Sequence, residues 1–215
     1  MFIGHFAIGL LARRAAPRAG LPVLLAAPQV LDMVFPVLVV AGVEQVAIAP
    51  GITAVSPLDL REIGWSHSLV TAIGWSIAFA LGYLALTRQR REAIVLGACV
   101  MSHWVLDWIT HVPDLPLYPG GPKLGLGLWH SLPGTLVVEG ALFVAGVWTY
   151  ATCTRARDRI GAVAWWALVA TLVGMYLGAI FGPKPPDADA LLVAAFGAWA
   201  LLAWGWWIER HRVAA

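Results

Sequence analysis

Six long apolar stretches govern what this chain can become. They run over 21–43, 65–87, 93–112, 133–153, 160–182 and 189–208. A helix that spans a bilayer needs about 20 residues. A seventh stretch, 1–12, is apolar but too short to cross. Only 12% of the residues are charged, against about 25% in an ordinary soluble domain. Hydrocarbon offers no partner for backbone N–H and C=O groups, so segments of this kind fold as helices. The expected fold is all-α: a polytopic membrane helix bundle of six spanning helices plus a short N-terminal membrane-embedded helix. The chain reads as one integral membrane domain over 1–215.

Charge placement gives the orientation. Arg13, Arg14 and Arg18; Arg88, Arg90 and Arg91; Arg155, Arg157 and Arg159; and Arg210 and Arg212 fall in alternate gaps. The positive-inside rule makes those gaps and the C-terminus cytoplasmic, and a bacterial cytoplasmic (inner) membrane is the expected location. The N-terminal stretch lacks the leading positive charge of a signal peptide, because its arginines follow the apolar run. It is read as a retained part of the fold. Nothing resembles a nucleic-acid-binding patch. Cys99 and Cys153 lack metal-finger spacing and imply no disulfide framework. The 12 tryptophans read as packing and interface anchors.

Against this apolar background the polar residues stand out. The 93–112 stretch ends in Ser102-His103-Trp104-Val105-Leu106-Asp107-Trp108-Ile109-Thr110-His111. On a helix His103, Asp107 and His111 share one face. Burying such groups without partners costs several kcal/mol each, and a divalent metal is an economical partner for His and Asp. His103 and His111 stand ~12 Å apart along the axis, too far to share one ion comfortably. Either several ions bind or His111 has another role. Counting ~1.5 Å per residue from the arginine clusters puts His5 ~12 Å deep, Asp32 ~19 Å, Asp107 ~23 Å, Glu139 ~24 Å and His67 ~30 Å. His130 lies near the same outer edge. Such agreement in depth is what one outward-opening cavity requires. The candidate metal ligands are His5, Asp32, His67, His103 and Asp107; the candidate proton-transfer groups are Asp107, His111, His130 and Glu139. A helix break is expected near Asp32, four residues before Pro36. The Pro- and Gly-rich loop 112–132 is expected to be ordered by turns and to lie over the outer mouth of the bundle.

These residues resemble a family: the predicted membrane-bound metal-dependent hydrolases of the YdjM type. That family has an early His, an intramembrane Asp, a His-Ser pair opening a helix, and a Ser-His-x-x-x-Asp helix. Here His5, Asp32, His67-Ser68, and Ser102-His103 with Asp107 correspond. The resemblance covers roughly 1–130; the helices over 133–208 add nothing to it. Pro28-Gln29-Val30-Leu31-Asp32 keeps one acid where many relatives have Pro-Asp-x-Asp. The His-x-x-x-Asp step is also similar, more weakly, to zinc-dependent phospholipase C.

The leading expectation is a metal-dependent hydrolase with one to three divalent ions, zinc first, acting on a phosphoester that is phospholipid or polyprenyl-linked. Membrane lipids are the expected partners. Two other classes fit intramembrane His, Asp and Glu: a proton- or ion-coupled transporter, and a protein that binds metal or haem without turnover, with His5 and His103 as the haem ligands.

Overall fold

The computed structural model describes residues 1–215. It contains six helical stretches long and apolar enough to cross a membrane: Leu21–Val40, Leu69–Thr87, Arg90–Thr110, Leu132–Cys153, Arg159–Phe181 and Ala188–Arg210. A shorter apolar helix, Ile3–Ala12, precedes them. The all-α membrane bundle expected from hydropathy is the fold observed.

Two of the six are interrupted. The first is built of α2 (Leu21–Ala26), a 3₁₀ turn (Ala27–Gln29) and α3 (Val30–Val40). The break therefore comes at Pro28, not between Asp32 and Pro36 as the sequence suggested. Pro28 sits in the first turn of the 3₁₀ segment, where its missing N–H costs nothing. Pro36 lies inside α3, which continues to Val40. The last stretch divides into α9 (Ala188–Gly197) and α10 (Ala200–Arg210). Between them the chain tightens into i→i+3 bonds, from Trp199 N–H to Phe196 C=O and from Leu202 N–H to Trp199 C=O.

The short α1 (Ile3–Ala12) is the inner strut of the bundle. It packs against α7 (Leu132–Cys153), α6 (Arg90–Thr110) and α2. Its approach to two neighbours is set by glycine. A Cβ on Gly9 would stand 2.0 Å from the carbonyl oxygen of Leu24, and one on Gly146 of α7 would stand 2.8 Å from that of Ala7. Ile3, Phe6, Ala7 and Leu10 of α1 join Phe143 and Tyr150 of α7 and Trp165, Leu168 and Leu172 of α8 (Arg159–Phe181) in the largest apolar core. A second core joins α2 and α6 to α5 (Leu69–Thr87). Helix α5 pairs mainly with α6, and most of its surface faces outward.

The arginine-bearing ends gather on one face. Glu209 accepts the Leu21 N–H at 2.8 Å and lies 3.9 Å from Arg13. Strand β5 (Thr154–Ala156) pairs antiparallel with β6 (Arg212–Ala214). His211 bonds Asp158 at 2.7 Å. That bond, with one from the Gly161 N–H, holds the Asp158 carboxyl below its ordinary value. On the opposite face, β1 (Gln45–Ile48) and β2 (Leu58–Glu62) form a hairpin. It leads into α4 (Gly64–His67), a single turn. The loop after α6 forms the two-residue ladder β3 (Leu115–Pro116) with β4 (Lys123–Leu124), then a 3₁₀ turn at Leu128–His130.

The close contact of α1 with α7 gives a direct test. Gly146→Ala must push Ala7 away and should lower the thermal midpoint in detergent by several degrees. Gly140→Ala on the same helix meets nothing within 4 Å and should leave it unchanged or raise it slightly, since Ala favours helix by about 1 kcal/mol over Gly.

Candidate metal centre

The centre forms around the Asp107 carboxylate, in the fifth turn of α6, with a residue exposure of 2%. Four imidazoles turn their Nε2 atoms towards it. His5 reaches Oδ1 at 2.9 Å from α1, and His111 stands 3.6 Å from the same oxygen. His103 reaches Oδ2 at 3.0 Å from one turn earlier in α6, and His67 of α4 stands 3.9 Å away. Asp32 of α3 closes the group, with Oδ1 3.4 Å from His67 Nε2 and 3.7 Å from His103 Nε2. The α-amino group of Met1 also contacts Asp107 Oδ1.

Hydrogen bonds at the far side of three rings fix their tautomers. His103 Nδ1 lies 2.6 Å from the carbonyl oxygen of Pro28, an acceptor only, so Nδ1 carries the hydrogen. His111 Nδ1 lies 3.0 Å from Asp114 Oδ1, and the same reasoning holds. His67 Nδ1 lies 2.6 Å from Ser66 Oγ, whose own hydrogen goes to Glu44 Oε2 at 2.6 Å. Ser66 therefore accepts from His67. Each neutral ring then presents a lone pair at Nε2. His103 aims that lone pair at two carboxylates and has no hydrogen-bond partner there; His5 Nδ1 is also buried without one.

Lone pairs from three anchored, neutral imidazoles and two carboxylates repel one another unless protons or cations lie between them, and the Met1 ammonium meets only one oxygen of Asp107. An N–H···acceptor bond on the far side of a ring is the usual way a metal-binding histidine is oriented and made more basic. Two sets have ligand atoms that all lie within 4.8 Å of one another: His5, His103 and Asp107; and Asp32, His67 and His103. Ligands ~2.1 Å from a tetrahedral ion stand about 3.4 Å apart, and the separations above bracket that value. The residues fit a divalent ion, and the N/O donor set suits zinc among others. His5 and His103 stack with ring centroids 3.7 Å apart and planes within 3°, which leaves no room for a porphyrin between them.

The residues singled out in the sequence separate here. His5, Asp32, His67, His103, Asp107 and His111 come together. The axial distance that seemed to part His103 from His111 is resolved by Asp107, which meets one at each oxygen. Glu139 of α7 is adjacent but differently engaged: its Oε2 accepts the N–H groups of Phe2 at 2.9 Å and Gly4 at 3.3 Å. It holds the start of α1, and thereby His5. His130 stays outside. The 3₁₀ turn at Leu128–His130 buries Trp129 against His111, with ring centroids 4.1 Å apart, and leaves His130 exposed. Three contributors escaped the sequence reading. Glu44 caps the start of α4 by accepting the N–H groups of Trp65 and Ser66; Asp114 and the Pro28 carbonyl anchor the other two rings. Each acts through tertiary contact, and Glu44 and Asp114 stand in loops with no motif around them.

The centre opens into a cavity of about 510 Å³. Asp32, His67, Asp107, His111 and Glu139 line one end. Asp32 is accessible over 45% of its side chain because it faces this space. Of the two outer loops, 44–64 contributes more to the cavity wall: Val55, Ser56, Pro57, Leu58 and Leu60 line it, whereas 112–132 supplies Trp129 alone. Its Pro and Gly residues instead close its own β3–β4 ladder. Comparison with family models, with curated proteins and with solved structures finds no match for this chain.

The anchoring of His67 predicts a graded effect. Ser66→Ala or Glu44→Gln frees the ring without removing a ligand, and should weaken zinc binding about 10–100-fold in chelator competition. Ser102→Ala removes only a bond within α6 to the Cys99 carbonyl and should leave the affinity unchanged.

Proposed function

We propose that the protein is a membrane-bound metal-dependent hydrolase of phosphoesters, working at a divalent-metal centre formed by His5, Asp32, His67, His103 and Asp107. One observation carries this reading. Anchored imidazoles and two carboxylates converge beside a cavity, an arrangement of lone pairs that suits cations. The resemblance to YdjM-type hydrolases points the same way.

A bound zinc ion would lower the pKa of its water towards ~7 and polarise a phosphoryl oxygen. The chain supplies the remainder. Glu44 through Ser66, and the Pro28 carbonyl, keep Nε2 of His67 and His103 unprotonated and aimed inward. Asp107 meets His103 and His67 through one oxygen and His5 and His111 through the other, an arrangement that suits two adjacent cations. Asp32 and His111 line the cavity and face any group that enters it. His111, held by Asp114 and stacked on Trp129, is assigned the proton transfer: its free Nε2 takes a proton from the attacking water and returns it to the leaving oxygen. Glu139 positions α1 and carries no proton in this scheme. With the arginine-bearing face cytoplasmic, the cavity lies in the outer half of a bacterial inner membrane, the C-terminus lies inside, and a lipid phosphoester is the substrate class.

Phosphate release from a long-chain alkyl phosphate should require added metal and should vanish in Asp107→Asn. His111→Gln should lower kcat by about 10²–10⁴, whereas His130→Gln should leave it unchanged. Turnover by Asp107→Asn at the wild-type rate would overturn the proposal. Absence of turnover together with cation-dependent proton flux in sealed liposomes would favour a carrier.

A further inference from the structure

The helices that lie outside the family resemblance build the other end of the cavity. Met175 and Ile180 of α8, Ala194 and Ala195 of α9, Ala198 at the helix break and Leu202 of α10 line it. None of these carries a polar side-chain group; Tyr176 and Trp199, which also line the cavity, add one hydroxyl, turned to the Thr135 carbonyl, and one indole N–H. Leu191, Ala194, Ala195 and Ala198 follow an i, i+3, i+4, i+7 pattern, so one face of α9 is turned to the cavity and is short of bulk. Helix α9 packs on α3 and β1, while α10 packs on α8 and α2. The break at Ala198–Trp199 thus splits the last stretch between two sets of partners.

Met175 and Ala179 of α8 and Ala194 of α9 line the cavity and are exposed. All three lie in membrane-spanning stretches, which puts this side of the cavity at the level of lipid chains. Water would fill this lobe poorly, because a stable internal water needs two to four polar partners. A hydrocarbon chain needs none, and the surrounding medium supplies hydrocarbon chains.

We infer that the lobe bounded by α8, α9 and the Ala198–Trp199 break is a binding site for one hydrocarbon chain of a membrane amphiphile, entering sideways between α8 and α9 with its anionic head directed to the His/Asp end. The head-group assignment rests on the metal-centre reading; the chain site does not. The cavity of about 510 Å³ lies within the ~300–1,000 Å³ of small-ligand sites, and its division into an apolar lobe and a cluster of His, Asp and Glu at one end matches an amphiphile. The substrate preference that follows is for a long single-chain phosphoester over a short soluble one.

The probe is dodecyl phosphate with a terminal diazirine, photolysed with the full-length protein in phosphatidylcholine nanodiscs, with adducts mapped by peptide mass spectrometry. Adducts are expected at Met175 and over 194–198, suppressed by excess unlabelled dodecyl phosphate. Ala195→Trp fills the lobe and should cut them about tenfold, the equivalent of about two buried methylene groups. Ala141→Trp on the outward face of α7 should not. Adducts confined to outward positions such as Val144 and Trp148, or insensitive to competitor and to Ala195→Trp, would overturn the chain site. Zinc content measured on the same samples separates the two readings. Specific adducts without retained zinc would sink the metal centre and keep the chain site; retained zinc without specific adducts would do the reverse.

Discussion

The structure depends on one buried carboxylate. Asp107 lies within a membrane-spanning helix, where an unpaired charge costs several kcal/mol. Helix α1 brings His5, α3 brings Asp32, α4 brings His67, and α6 adds His103 and His111. Each partner comes with a structural cost: a helix too short to span, a 3₁₀ interruption, a single helical turn, a chain turn immediately after a helix. Such departures from regular spanning helices cluster where function needs them. Here they cluster around one acid.

Support for the ligands extends one step further. The Glu44–Ser66–His67 chain joins a loop acid to a ring through a hydroxyl. The Pro28 carbonyl joins the 3₁₀ break to His103, so the interruption in the first spanning stretch and the ring that sits beside it are one feature. Glu139 accepts the first N–H groups at the start of α1, where the helix dipole favours negative charge. Gly9 and Gly146 let α1 lie against backbone on both sides. The result is a set of side chains held in place by the fold itself, the preorganisation that a metal centre would need for affinity and geometry.

Much of this was legible in the sequence because membranes make it so. Six apolar stretches give six helices, with ends within a few residues of those observed, since hydrocarbon leaves the backbone no alternative. Depth counted from the arginines ranked the candidate ligands in the outer part of the bundle but spread His5, Asp107 and His67 from ~12 to ~30 Å. His5 and His67 both stand within 4 Å of Asp107, because the counting starts from loops that are not level and runs along helices that are short or broken. Height says nothing about azimuth, however. Glu139 shares the depth of the cluster yet spends its carboxylate on backbone, and His130 lies near the right edge but on the outer side of a turn that buries Trp129. Proline identified a break in the first stretch but at the wrong residue: α3 continues through Pro36, and the 3₁₀ turn falls at Pro28, directly after the six residues of α2. Glu44 and Asp114 were illegible, since loops carry no periodicity from which to infer a contact.

The converging imidazoles and carboxylates are proposed to hold a divalent cation. Elemental mass spectrometry on detergent-purified protein tests this most directly, comparing wild type with the double variant His103→Ala/Asp107→Ala after both are shown to be folded. Stoichiometric zinc or a similar divalent metal is expected in the wild type, and its loss in the variant. No bound metal in either protein, even after reloading with zinc or manganese, would contradict it.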